Sequence, residues 1–344
     1  MKLAWKEMKK GKSKFIILGS IIFLVSFLTL VISGLANGLS YDSAGLIKNL
    51  PSGQYYLSKE AEGNSAMSAI PSDMANEFMK ENEEAMALSI QMGYVTTTAD
   101  QQESVAFVTS TPFKHFPSVR AGEIVLDASL KEQGVHIGDT VVNEWSKKEF
   151  VVKDFVEGQT YSHTAVAFVN ERDFAALFGK SERQMMFLPG DEAVAFSKEL
   201  DVYSTSQFLQ TIASYQSEQL SLNMIIGFLV VISGMLFGIF FYMMNVQKLS
   251  LYGILKAIGV KTSTLFTLIW TQMILTTTAA LFLSILLSQL VSFMKPESLP
   301  YQLSLSTTLL LVGLFFLVGF LGATISGWQV KNVQPLQAIQ QGEV

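Results

Sequence analysis

Four stretches of this chain carry no Asp, Glu, Lys or Arg over a length sufficient to cross a bilayer, at residues 15–36, 220–246, 264–291 and 303–327. A hydrocarbon core of roughly 30 Å takes about 20 apolar residues as helix, so each stretch is long enough to span it. About 180 mostly polar residues separate the first stretch from the other three, which follow one another closely. The expected fold is therefore an α-helical membrane protein with four transmembrane helices, one plus three, and a large extracytoplasmic α+β domain between the first and second.

Charge is partitioned in the same way. Residues 37–219 hold 26 acidic and 13 basic side chains, whereas the rest of the chain holds 3 acidic and 11 basic. Basic residues next to membrane segments mark the cytoplasmic side. Lys2, Lys6, Lys9, Lys10, Lys12 and Lys14 precede the first stretch, which places residues 1–14 inside the cell and 37–219 outside it. The loop 247–263 carries Lys248, Lys256 and Lys261 and no acid, as a cytoplasmic loop should. The connection 292–302 balances Lys295 with Glu297 and suits the outer face. Both termini, including the tail 328–344 with Lys331, are then cytoplasmic. A cleaved signal peptide is the alternative for the first stretch, but its 22 apolar residues exceed the about 7 to 15 of such peptides.

The chain contains no cysteine, which removes disulfides and thiolate metal sites from consideration. In the acidic region, Ser72 is expected to cap a helix carrying Met74, Phe78, Met86 and Ile90, with loops on either side. From Ser104 onward short β-branched runs predict strands at 105–108, 124–126, 140–142, 150–156 and 166–169. Gly138-Asp139 signals a turn, Asn170 a helix cap for a segment through Phe178, and residues 193–196 a further strand. The segment 205–220 contains no Pro or Gly and is expected to run as one helix into the second span.

Nothing in the chain points to catalysis. Gly11-Lys12-Ser13 ends like a phosphate-binding loop, but Lys6 stands where that motif needs its first glycine. It reads instead as a basic segment attracted to anionic membrane lipid. His115, His136 and His163 lie 21 and 27 residues apart, without metal-ligand spacing, so no metal site and no catalytic residue is expected. Nucleic acid is not an expected partner. The spans lack ionisable residues, which disfavours an ion-coupled carrier and assigns the energy for any transport to a partner. Gly34 with Gly38 and Gly234 with Gly238 each form a GxxxG pair, a spacing that lets helix backbones approach, and they suggest a homodimer seam.

The loop after the second span reads Val246-Gln247-Lys248-Leu249-Ser250-Leu251-Tyr252-Gly253-Ile254-Leu255-Lys256-Ala257-Ile258-Gly259-Val260. It resembles the signature at the same place in MacB/FtsX-type ABC transporter permeases, the type VII exporter fold. The run from Val330 to Ile339, with Pro335 and Ala338, is similar to that family's terminal run, and Glu123 to Phe174 is similar to the core of its outer domain. The resemblance implies two permease copies, each docked on a separate cytoplasmic ATPase subunit that binds ATP and Mg. It implies that Lys248, Tyr252, Gly253, Lys256 and Gly259 form the ATPase-coupling region. Leu251, Ile254, Leu255 and Ile258 recur at helical spacing and offer an apolar stripe to a partner or the membrane.

Many members carry an acid before the glycine, where Tyr252 stands here. The chain looks more like the haem-exporting branch of Gram-positive bacteria, which implies a plasma-membrane permease exporting an amphiphilic compound. Haem is then a candidate cargo, with Met224, Phe228, Tyr215 and Tyr41 as candidate substrate-binding residues, since haem iron accepts Met or Tyr ligands. The alternative is an FtsX-like signalling subunit that regulates an extracellular hydrolase or sensor. A membrane-anchored receptor is a third reading, and it leaves the three closely spaced later spans unexplained.

Overall fold

The computed structural model describes residues 2–331 apart from residues 99, 144, 180, 181, 297 and 298. Pro335 and Ala338 of the terminal run, Glu297 and most of the tail 328–344 therefore lie outside the described residues. The chain divides into two compact units, one formed by residues 1–38 with 220–344 and the other by residues 39–219.

The first unit is helical. A short basic helix α1 (Lys2–Lys10) is followed by α2 (Lys12–Lys48), α6 (Ala213–Val246), α7 (Leu249–Ala257), α8 (Thr262–Met294) and α9 (Leu305–Lys331). The long helices α2, α6, α8 and α9 are each long and apolar enough to cross a membrane. Lys295 takes an extended conformation and closes α8 because Pro296 follows it. Phe237, Phe241, Met273, Leu281 and Phe315 form one buried cluster among these helices, joined by Phe15 and Leu18 of α2. Polar side chains inside the cluster pair across helices, as Ser26 and Ser284 do at 2.7 Å.

The second unit contains β1 (Gly53–Ser58), α3 (Ser72–Glu81), β2 (Met86–Thr96), β3 (Gln102–Ser110), β4 (Glu123–Asp127), β5 (Thr140–Asn143), β6 (Lys148–Val156), β7 (Thr160–Tyr161), β8 (Thr164–Val169), α4 (Glu171–Phe178), β9 (Met185–Pro189), β10 (Leu200–Ser204) and α5 (Thr205–Thr211). The strands build one mixed sheet in the order β10-β1-β9-β2-β3-β8-β4-β6-β5, with β7 paired to β8. The pairs β3–β8 and β4–β6 are parallel. Thr96 of β2 meets Val142 of β5, so half of the sheet curls back on itself. Alternate residues serve two cores: Val105 and Phe107 face the curled interior with Ile124, Leu126 and Phe150, while Ala106 and Val108 face a second cluster with Leu46, Ile47 and Phe208. A strand buried on both faces reads as a continuous apolar run, which is why β3, β4 and β8 are legible in the sequence.

Asn170 caps α4 by accepting from the Arg172 amide, and Gly138 turns with φ +92°, both as expected. Four expectations need correction. Helix α3 ends at Glu81; Met86 and Ile90 belong to β2, where pairing with β3 and β9 overrides their helical spacing. Pro71 rather than Ser72 precedes the first turn of α3, with no side-chain cap. The segment 40–71 is not all loop, because helix continues to Lys48 across a kink at Ala44 (φ −148°, ψ 27°), and Tyr55 and Leu57 anchor β1 in the core. Residues 193–196 form no strand, and the strands there are β9 and β10.

A fifth concerns the entry to the second span. Ile212 adopts φ −78° and ψ 108° between α5 and α6, so the helix expected over 205–220 is jointed. No proline or glycine is needed: the extended backbone turns the Ile212 side chain into the same buried cluster as Phe208 and Leu209.

Candidate coupling surface

Helix α7 is short and held from one side. It begins after Lys248 and stops where Gly259 takes φ +90°. The Gly259 amide donates to the Lys256 carbonyl at 3.0 Å and the Val260 amide to the Leu255 carbonyl at 3.0 Å. That pair of bonds is a Schellman cap, and the left-handed residue it requires explains the glycine. Val260 and Leu255 both pack on the buried helical cluster, which fixes the direction in which the chain leaves.

Tyr252 is fully buried and Gly253 lies beside it on the inward face. The Tyr252 hydroxyl donates to Asn245 Oδ1 at 3.2 Å, and Asn245 Nδ2 donates to Ser326 Oγ at 3.2 Å, so one chain of bonds links α7, α6 and α9. Burial, then the nearby Glu7 charge, pushes the Tyr252 hydroxyl well above its usual range, so it serves as a neutral donor. Lys248 donates to Glu7 Oε2 at 3.0 Å, and the same oxygen accepts from Gln272 Nε2 at 2.7 Å. Lys256 donates to the Lys331 carbonyl at 2.9 Å, at the end of α9. Lys14 of α2 bonds Gln247 just ahead of α7. Of the five residues expected to form the coupling region, Lys248, Tyr252 and Lys256 thus bind the helix to its own unit, Gly253 is buried on its inward face and Gly259 ends it.

The outward face is different. Leu251, Ile254 and Ile258 are 42, 48 and 73% exposed and follow one stripe of the helix, whereas Leu255 turns inward. A rigid helix with an apolar outer stripe can seat on another protein and pass a displacement to α1, α6, α8 and α9 through the bonds just described.

Gly34 and Gly38 are occupied within the chain. A Cβ on Gly34 would lie 2.4 Å from the Tyr301 ring, and one on Gly38 would lie 2.0 Å from the Pro300 carbonyl oxygen. Gly34 also accepts from the Gln302 amide at 2.9 Å. Gly234 packs on Val318 of α9, while a Cβ on Gly238 would meet open space. Of the candidate substrate residues, Tyr41 and Tyr215 flank the Lys48 ammonium at 4.5 and 5.5 Å in the unit 39–219. Met224 and Phe228 lie one turn apart on α6 and are exposed. Among the described residues no cluster of His, Asp or Glu has metal-binding geometry.

Sequence reasoning missed Glu7, Asn245 and Gln272. Glu7 is the sole acid before Asp42, and that isolation was the available signal. Asn245 and Gln272 are amides within apolar runs, where a buried polar group needs a partner.

Residues 223–335 match the FtsX-like permease C-terminal family model. Over 353 residues the chain is 31% identical to a provisionally named hemin transport system permease protein HrtB of Staphylococcus haemolyticus, covering 98% of this chain and 99% of that one. It is 26% identical over 358 residues to a similarly named protein of Staphylococcus epidermidis, with both chains covered completely. Among solved structures, the periplasmic region of MacB from Actinobacillus actinomycetemcomitans aligns at 12% identity and a TM-score of 0.36 over 48% of this chain and 95% of that one, too slight a likeness to support an argument. The full-length identity and the matched C-terminal model establish that this chain belongs to the FtsX-like permease family.

Proposed function

We propose that the chain is the membrane subunit of an ATP-driven exporter of amphiphilic compounds, with hemin as the first cargo to test. Two copies pair in the plasma membrane of a Gram-positive bacterium. Each seats α7 on a separate cytoplasmic ATPase subunit, which binds ATP and Mg and carries out hydrolysis. The distribution of lysines supports an orientation with both chain ends and α7 inside the cell and residues 37–219 outside. The names of the full-length relatives support hemin as cargo.

The observation that carries this reading is the apolar stripe Leu251, Ile254 and Ile258 on a helix clamped from behind by Tyr252 and Lys248. Closure of the ATPases presses the stripe, and the bonds to Asn245, Glu7 and Ser326 move the helices together. Met224 and Phe228 on the exposed face of α6 are offered to a lipid-borne cargo, as are Tyr41 and Tyr215 within the outer unit. For pairing of copies, the open side of Gly238 is the better surface, since Gly34 and Gly38 are already covered.

The test is ATP hydrolysis by the permease reconstituted with its ATPase in liposomes. Stimulation by hemin, lost on Ile254→Lys, is expected. Hydrolysis indifferent to hemin and to every other amphiphile would favour a signalling subunit instead. Protease added to intact cells is expected to cut within residues 39–219, and protection of that unit would reverse the assigned orientation.

A further inference from the structure

A groove of about 820 Å³ lies between α1, the first half of α2 and α8. Its walls are apolar, with Ile16, Phe23, Phe282 and Leu283 along its length, and Gly19 and Thr276 form a shallow floor. At one end stand Trp5, Lys9 and Lys12. The volume falls within the about 300 to 1,000 Å³ of sites that hold small molecules.

The groove is amphipathic along its axis. From Phe15 to Phe23 it follows about 12 Å of helix, close to the about 15 Å depth of one leaflet. An acyl chain lying along it would be covered for most of its length. The polar end is cationic: Lys9 and Lys12 are exposed, and Lys10 and Lys14 are close in sequence. The nearby acid Glu7 is turned away, held by Lys248 and Gln272. Trp5, 53% exposed with Lys9 5.8 Å from its ring, has the amphipathic character of residues placed at headgroup level.

We infer that this groove binds one phospholipid with an anionic headgroup, its phosphate on Lys9 and Lys12 and an acyl chain between α2 and α8. The inference does not depend on hemin as cargo or on the ATPase. It gives α1 a task beside its bond to Lys248, because a lipid lodged there would hold α1 against the membrane surface. The helix that orients α7 through Glu7 would then sense lipid charge.

The experiment uses the full chain reconstituted in bilayers containing equal phosphatidylglycerol and phosphatidylcholine, extracted in mild detergent and weighed intact by mass spectrometry. Wild type is expected to retain one phosphatidylglycerol at least about five-fold over phosphatidylcholine, the effect expected of one basic residue near an anionic surface. Lys9→Gln with Lys12→Gln is expected to abolish the preference. Ala279→Phe, at an exposed position on the groove wall, is expected to abolish retention of either lipid. Equal retention of both lipids by wild type would overturn the inference, as would phosphatidylglycerol retention unchanged in both variants. Cross-linking of two copies through Ser20→Cys would place a second chain in the groove and overturn it as well.

Discussion

The Lys248 ammonium lies 3.0 Å from the Glu7 carboxylate, across 241 positions of chain, with both side chains about four-fifths buried. The pair joins the N-terminal helix to the start of α7, and Gln272 extends it to α8. A partly buried charged hydrogen bond of this kind contributes about 1.5–3 kcal/mol.

Glu7→Gln is accordingly expected to lower the thermal unfolding midpoint of the permease in detergent and to weaken coupling of ATP hydrolysis to cargo. Removing Glu7 and Lys248 together is expected to cost less than the sum of the single losses. Strict additivity in that cycle would show that the two residues act independently.

Ile254→Lys and Ile258→Glu alter an exposed stripe and touch little of the permease core. Stability is expected to change by no more than about 0.5 kcal/mol. Recovery of the ATPase on the tagged permease is expected to fall about ten-fold or more, since a charge in the centre of an interface loses a buried apolar anchor. Undiminished recovery would move the contact away from α7.

Gly38→Ala is expected to destabilise the chain by about 1–3 kcal/mol, because the Pro300 carbonyl it would strike is backbone and has little room to shift. Gly238→Ala, which meets nothing within 4 Å in the chain, is expected to leave the single chain unharmed and to weaken pairing of copies. Unfolding measured in dilute detergent separates the two: equal losses there would contradict the assignment of Gly38 to packing within the chain.

His163 sits at a hairpin tip, with Nδ1 2.7 Å from Asp42 and Nε2 2.6 Å from Glu218, and Ser43 Oγ 2.9 Å from the same Nε2. Burial alone would lower its pKa, but hydrogen bonds to Asp42 and Glu218 and their charges outweigh that and raise it. A group with a raised folded pKa stabilises fully below its unfolded value, about 6.5, and the contribution is lost as pH rises through the folded value. Hydrogen-exchange protection of the Ser162 and His163 amides, which donate to Ser43 and Asp42 carbonyls, is expected to weaken relative to His163→Asn as pH rises above about 6.5. Asn tolerates the left-handed backbone at this position, so the comparison isolates the charge. Parallel behaviour of the two proteins across that range would remove His163 from this role.

What depends on composition over short windows is legible in the chain before it folds. Four uninterrupted apolar runs specify four long helices, because within lipid-length segments nothing else competes with the helical hydrogen bond. The β-branched runs of β3, β4 and β8 specify strands, since burial on both faces makes each a continuous apolar run. The cap made by Asn170 and the left-handed turn at Gly138 are local conformations and were equally legible.

Tertiary structure alone decided which distant groups meet. Met86 and Ile90 carry helical spacing, yet β3 and β9 claim them through sheet pairing. Ile212 breaks a sequence with no helix breaker because the core of the 39–219 unit accepts its side chain. The GxxxG at Gly34 and Gly38 fits a second copy as well as a neighbouring loop, and only the path of Pro300 and Tyr301 selects the loop. Glu7, Lys248 and Gln272 share no local pattern. Their meeting follows from the closure of helices far apart in sequence, where burial makes an unpaired polar group costly and so selects the arrangement in which each has a partner.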